Sequence, residues 1–301
     1  MSLVDKGTIL GLKRGETRAV SHPFFVREFG LSGESVPVVS VRDAALTSWR
    51  DLAAHWRRPA TPVSLLWPLW ASLAVLALAV LLFVGAAFDG SVARAAAKLD
   101  PGLIVFFDYV TQAGKSNWLF ALSILAILTA LFRREQAVTR RLRAAWGLVA
   151  SYALYFLVVQ AVSGTASQVV KHLVGRARPR LIEIAGPFHF DLFSLKAVLA
   201  SFPSGHTTTV FAAFGALSLL SPRLGPWVLL LAVPVAASRI IVGAHYPSDV
   251  CGGLFLGLGS ALAVARVLAR RKIAFTLAPD ALLPTPRGKA LIARTLLKDQ
   301  A

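Results

Sequence analysis

The sequence predicts an all-α, polytopic membrane protein with about six transmembrane helices, and two observations carry that reading. Residues 63–88 form a run of 26, and residues 144–170 a run of 27, without one charged side chain. At ~1.5 Å of rise per residue, either helix is longer than the roughly 30 Å hydrocarbon core of a bilayer. The whole chain of 301 residues is 56% hydrophobic and only 16% charged, where soluble domains carry about a quarter charged.

Taken in order, residues 1–62 read as a cytoplasmic N-terminal segment. They lack the apolar core of a secretory signal. Within them Ala45, Trp49, Leu52 and Trp56 share one helical face, with Arg50 and Arg57 turned away. That is the pattern of a helix lying in the headgroup plane, ended by Pro59. Residues 63–270 form the membrane domain. Besides the two long runs it holds four shorter apolar stretches, at 118–132, 207–220, 227–238 and 250–265. These reach spanning length by taking in flanking polar residues such as Ser204 and Tyr246. Residues 271–301, with Pro279, Pro284 and Pro286, read as a cytoplasmic tail, mostly irregular, with a short helix over 289–297.

The formal charge is +17, and its placement sets orientation. With six spans, 23 of the 32 Lys and Arg residues share the side of the two termini; nine lie opposite and none mid-span. Cytoplasmic segments carry such an excess. Both termini are therefore expected inside, with the loop 171–203 outside. The basicity reflects orientation and attraction to anionic headgroups, not nucleic-acid binding. One cysteine, Cys251, excludes an internal disulfide.

Polar residues that a membrane helix avoids gather in three places: Lys171 with Arg178-Pro179, then Pro203-Ser204-Gly205-His206, then Ser238-Arg239 with His245 and Asp249. The predicted topology brings all three to the outer face. Lys171, Arg178 and Arg239 supply three cations, two of them able to grip phosphate oxygens as a fork. Ser204 and Gly205 stand where a helix begins, so its amides can hold an anion, and Gly205 admits close backbone approach. Two histidines remain, and phosphoryl transfer can use two, one as nucleophile and one as acid for the leaving oxygen. Asp249 lies one turn beyond His245 if Pro247 starts a helix, where a carboxylate orients the imidazole.

The pattern Lys-x6-Arg-Pro, Pro-Ser-Gly-His, Ser-Arg-x5-His-x3-Asp resembles that of the type 2 phosphatidic acid phosphatase superfamily, over roughly residues 62–270. The resemblance implies a lipid phosphatase with His245 as nucleophile, Asp249 as its partner and His206 as general acid. Lys171, Arg178, Ser204, Gly205 and Arg239 would bind phosphate. It implies no metal cofactor. His206, His245 and Asp249 are types that ligate zinc, but the nearby cations oppose a bound dication. The expected reaction is hydrolysis of a lipid phosphomonoester or diphosphate at the periplasmic face of an inner membrane, through a phosphohistidine. Undecaprenyl diphosphate, lipid A, phosphatidylglycerophosphate and phosphatidic acid are the candidate substrates. The expected partners are that lipid and the bilayer, with no obligatory protein partner. The same cations and histidines would also suit a vanadate-dependent haloperoxidase, but those enzymes are soluble. A non-catalytic transporter would place its polar groups near the midplane.

Around the motifs, His172 and Arg176 read as solvated or headgroup-facing. Phe188, His189, Phe190 and Phe193 suit the interface, Asp191 and Lys196 could meet a headgroup, and Asp108 and Lys115 precede the second span on the active face.

Overall fold

The computed structural model describes residues 69–278, 281 and 283–296, with positions 46, 49–51, 53, 54, 56 and 57. Of the expected interfacial face, Ala45 and Leu52 lie outside the described residues. The described positions beside them are helical, with Trp49 and Trp56 exposed.

The longer helices are α1 (Leu69–Ala96), α2 (Pro101–Gln112), α3 (Asn117–Glu135), α4 (Arg140–Val174), α5 (Gly205–Leu220), α6 (Gly225–Ile241), α7 (Pro247–Arg270) and α8 (Lys289–Leu296). A two-residue antiparallel pair, β1 (Phe275–Thr276) with β2 (Thr285–Pro286), precedes α8. Among the described residues five helical stretches are long and apolar enough to cross a membrane, α2 and α3 counting together, and α5 is a shorter apolar helix. Large apolar side chains face outward, including Phe83 at 77% exposure, Leu125 at 60% and Leu231 at 70%. A soluble protein would bury such a belt, whereas the hydrocarbon of a bilayer would cover it.

The interior is made by α4, α5 and α7. Tyr155 and Val159 of α4 pack with Ala212 and Ala216 of α5 and with Ala261 and Ala265 of α7. Small residues let the backbones touch, as membrane helices require in the absence of a hydrophobic drive between them. A Cβ at Gly253 would fall 2.6 Å from the Ser204 carbonyl, and one at Gly257 2.6 Å from Ala212 N. These two glycines thus let α5 and α7 touch, Gly253 beside the motif residue Ser204 at the start of α5 and Gly257 further along both helices.

The segment 89–116, which follows the first apolar run, is mostly helical. The Ala-rich stretch beyond Asp89 lets α1 continue to Ala96, well past the length that spans the hydrocarbon. Asp100 then caps α2 by accepting from Leu103 N at 3.1 Å, and Pro101 occupies its first turn. This helix packs against α6.

Candidate active site

Each motif sits at a helix terminus for a local reason. Gly175 ends α4 in the left-handed conformation at φ 60°, its N–H donating to the Lys171 carbonyl at 2.9 Å. A Cβ there would sit 1.6 Å from the Asp191 carbonyl, so only glycine fits. The chain then runs extended between two strips of the loop that joins α4 to α5, with Ala177 N donating to His189 O, Arg178 N to Val198 O and Ser201 N to Arg176 O. Ser204 caps α5, its hydroxyl accepting from Thr207 N at 3.5 Å and from the Thr207 hydroxyl at 2.9 Å. The first amides of α5, at Gly205 and His206, precede any intrahelical acceptor and remain to hold an anion. Pro247 opens α7, and Asp249 Oδ2 accepts from Tyr246 N at 2.9 Å, so the carboxylate belongs to that helix start.

The three motifs meet at one end of the bundle. His245 is 4% exposed, and its Nδ1 stands 3.6 Å from Asp249 Oδ2. That is ion-pair range but longer than a hydrogen bond, and Nδ1 has no partner within bonding distance. With Nδ1 turned to the carboxylate, Nε2 is the nitrogen available for chemistry. Lys171 donates to Ala200 O at 3.0 Å and Pro203 O at 2.7 Å, leaving one of its three N–H groups for a ligand. Arg178 is held by the carbonyls of Ala197, Ala200 and Ala244. Arg239 bonds the Thr111 hydroxyl of α2, while its buried Nε has no acceptor. A buried guanidinium donor left open is costly unless a ligand takes it.

Arg176 overturns its sequence reading. It is 3% exposed, neither solvated nor headgroup-facing. Its Nη1 donates to Asp249 Oδ1 and the Ser248 hydroxyl, both at 2.7 Å. Its Nη2 donates to Asp89 Oδ2 at 2.7 Å and to the Pro187 carbonyl at 2.8 Å. Asp89 accepts in turn from Ser248 N and its hydroxyl, and the guanidinium lies 4.4 Å from the Tyr246 ring centroid. Ser201 donates to Asp249 Oδ2 at 2.6 Å. The Asp249 carboxylate is therefore fixed from α7, from α1 through Arg176, and from the loop before α5.

Sequence reasoning also missed Asp89, Ser201, Thr111 and Gly114. One signal was present for Asp89: a carboxylate placed directly after 26 uncharged residues, at the bilayer face that carries Arg176. For Gly114 no signal existed. Its missing side chain makes room for His206, since a Cβ would lie 2.8 Å from the imidazole Cδ2. Of the residues around the motifs, His172 Nδ1 lies 2.9 Å from the Ser194 carbonyl, and Phe188, Phe190 and Phe193 are exposed. Among the described residues no three His, Cys, Asp or Glu side chains group as metal ligands.

A profile of the PAP2 superfamily matches residues 152–273, which contain every motif residue named above. A lipid A 1-phosphatase of Rhizobium johnstonii is 37% identical over 240 residues, 77% of this chain and 93% of that protein. One from Rhizobium etli is 39% identical over 173 residues, 58% of this chain and 75% of that protein. The chain belongs to the PAP2 superfamily. A crystal structure of a transmembrane PAP2-type phosphatidylglycerolphosphate phosphatase from Bacillus subtilis aligns with a TM-score of 0.44, at 24% identity, over 63% of this chain and 92% of that one. As a PAP2 protein the chain is a multi-pass membrane enzyme, a lipid phosphatase that hydrolyses phosphoric ester or anhydride bonds.

In this PAP2 site burial lowers the pKa of His245 to about 4, against the opposing pull of Asp249, and Lys171 and Arg178 lower it further. The imidazole is uncharged at neutral pH and keeps its lone pair. On the expectation that unprotonated His245 is the nucleophile, activity should be lost only as pH falls through that low value. For the His206→Ala variant on p-nitrophenyl phosphate, where no second imidazole intervenes, we expect kcat/KM to hold from pH 7 to about 5. The profile is to be corrected for the ester's own ionisation. An acid limb near the ordinary imidazole value of about 6.5 would mean that His245 is solvated during turnover.

Proposed function

We propose that this chain is a metal-independent lipid A 1-phosphatase of the inner membrane. Residues 63–270 form its catalytic domain, both termini are cytoplasmic and the site opens to the periplasm. The observation that carries the chemistry is the buried His245 imidazole, backed by Asp249 and within electrostatic reach of Lys171 and Arg178. The two Rhizobium enzymes support the substrate, one of them matched over 93% of its length.

His245 Nε2 attacks phosphorus, the bond from phosphorus to the lipid oxygen breaks, and His206 gives that oxygen a proton; burial and Arg239 lower the His206 pKa to about 4, so it carries that proton only with the phosphate dianion beside it. His206 then takes a proton from water, whose oxygen attacks phosphorus. The bond to Nε2 breaks and inorganic phosphate leaves. Lys171, Arg178, Arg239, Ser204 and the amide of Gly205 hold the phosphoryl oxygens, most tightly when charge gathers on them in the five-coordinate transition state. Asp249 stabilises the imidazolium side of each step. The acyl chains stay in the bilayer, so only the phosphorylated sugar enters the polar site.

Phosphate release in detergent tests this with lipid A, undecaprenyl diphosphate, phosphatidylglycerophosphate and phosphatidic acid side by side. Lipid A should be the best substrate, activity should survive EDTA, and vanadate should inhibit. Intact right-side-out vesicles should hydrolyse external p-nitrophenyl phosphate, and sealed inverted vesicles should not. Preference for another lipid overturns the substrate, loss in EDTA restored by zinc overturns the mechanism, and activity in inverted vesicles alone overturns the orientation.

A further inference from the structure

A second cationic cavity lies at the end of the bundle opposite His245. It holds about 750 Å³ between the C-terminal end of α3, the N-terminal end of α4 and the turn after α7. Arg134, Arg140, Arg143, Lys272 and Arg287 line it, with one carboxylate, Asp51. Asp51 is ion-paired with Arg134. Arg143 and Arg287 donate to neutral carbonyls, those of Ala137 and Lys272. The lining thus keeps a net charge of about +4, a count over the described residues.

Polarity is graded along the cavity. The cations stand at its outer end, while Leu131, Ile127 and Leu154 line it one to three helical turns nearer the middle of the bundle. Lys171, in the catalytic cluster, lies on the same helix as Arg143. At ~1.5 Å per residue their separation is roughly 40 Å, about one bilayer with its headgroup regions. The cavity is therefore at headgroup depth in the opposite leaflet. The first amides of α4 open beside Arg140, adding the positive end of a 35-residue helix. Lys272 and Ala274 both hold a φ of 56°, a conformation that side-chain-bearing residues rarely accept and that gathers at ligand sites.

We infer that this cavity binds an anionic phospholipid from the leaflet opposite the catalytic site. Its phosphate sits among Arg140, Arg143 and Lys272, and its acyl chains follow Leu131, Ile127 and Leu154. Basic pockets between helices on the inner side of a membrane take anionic headgroups in this way. A zwitterionic lipid would bring an ammonium group into a cavity that is already cationic.

The test is native mass spectrometry of the full-length protein released from nanodiscs of equimolar phosphatidylglycerol and phosphatidylethanolamine. One phosphatidylglycerol per chain should persist at activation energies that strip the remaining lipid. Arg140→Glu/Arg143→Glu should reduce that retention at least tenfold, and Arg140→Gln/Arg143→Gln should reduce it in the same direction if the reversal fails to fold. Arg133→Glu/Arg141→Glu, equal in charge at the same end but outside the cavity, should retain the lipid. Equal retention of both lipids, or equal loss in the control variant, would reduce the effect to general surface charge and overturn the site. Displacement by millimolar glycerol phosphate would show that the acyl chains contribute nothing, and would overturn the lipid as occupant. None of these variants touches the catalytic cluster, so phosphatase activity in detergent should be unchanged and the outcome is independent of the substrate assignment.

Discussion

Replacing His245 by alanine should abolish hydrolysis of every substrate, because without a nucleophile no phosphoenzyme forms. Replacing His206 should cost an amount that depends on the leaving group. A lipid phosphomonoester expels a strongly basic alkoxide, so losing the acid should lower kcat/KM by roughly 10²–10⁴-fold. The p-nitrophenolate of p-nitrophenyl phosphate leaves without help, and there His206→Ala should lose far less. Both variants are to be compared at matched expression, with detergent thermal denaturation confirming that α5 and α7 are intact. Equal losses by His206→Ala on the two esters, or residual activity of His245→Ala on the activated one, would reverse or abolish the assigned roles.

The second large effect is expected at Arg176, and it is one of stability. The guanidinium is shared between two carboxylates, Asp89 and Asp249, both 0% exposed. Arg176→Ala would leave both buried without their cation. Breaking a buried pair from one side costs about 3–5 kcal/mol. For a chain of this size each kcal/mol moves Tm by about 2–4 °C, so the midpoint in detergent should fall by on the order of 10 °C. Adding Asp89→Asn to Arg176→Ala should recover part of the loss by removing one uncompensated charge. Arg176→Lys should keep the charge but lose the fork that reaches Asp89 and Asp249 together. A midpoint that moves by less than about 2 °C in Arg176→Ala, or falls further on adding Asp89→Asn, would remove Arg176 from this role.

The sequence by itself determined what depends on composition and on local spacing. Long uncharged runs have one stable solution in a bilayer, the helix, because every backbone polar group must be satisfied within its own segment. Motif residues flanked by Gly175, Pro203 and Pro247 had to lie at helix ends, since those residues stop or start helices. The topology of alternating spans then carried Lys171, His206 and His245 to one face without any tertiary information.

What the tertiary structure decided concerns groups whose partners are far away in the chain. Arg176 looked like an interfacial cation because its neighbours are polar. Its environment is set by Asp89, 87 residues earlier, and by Asp249, 73 residues later. Thr111 reaches Arg239 across 128 residues, and Gly114 makes room for His206 only because the turn between α2 and α3 packs on α5. The second cavity likewise combines Arg134 and Arg143 with Lys272 and Arg287, which no local pattern joins. Helix formation follows from spacing along the chain, but whether a charge is buried follows from which distant charges surround it. Burial of an ion is tolerable only when its partners arrive through space, and that arrangement exists only once the helices have packed.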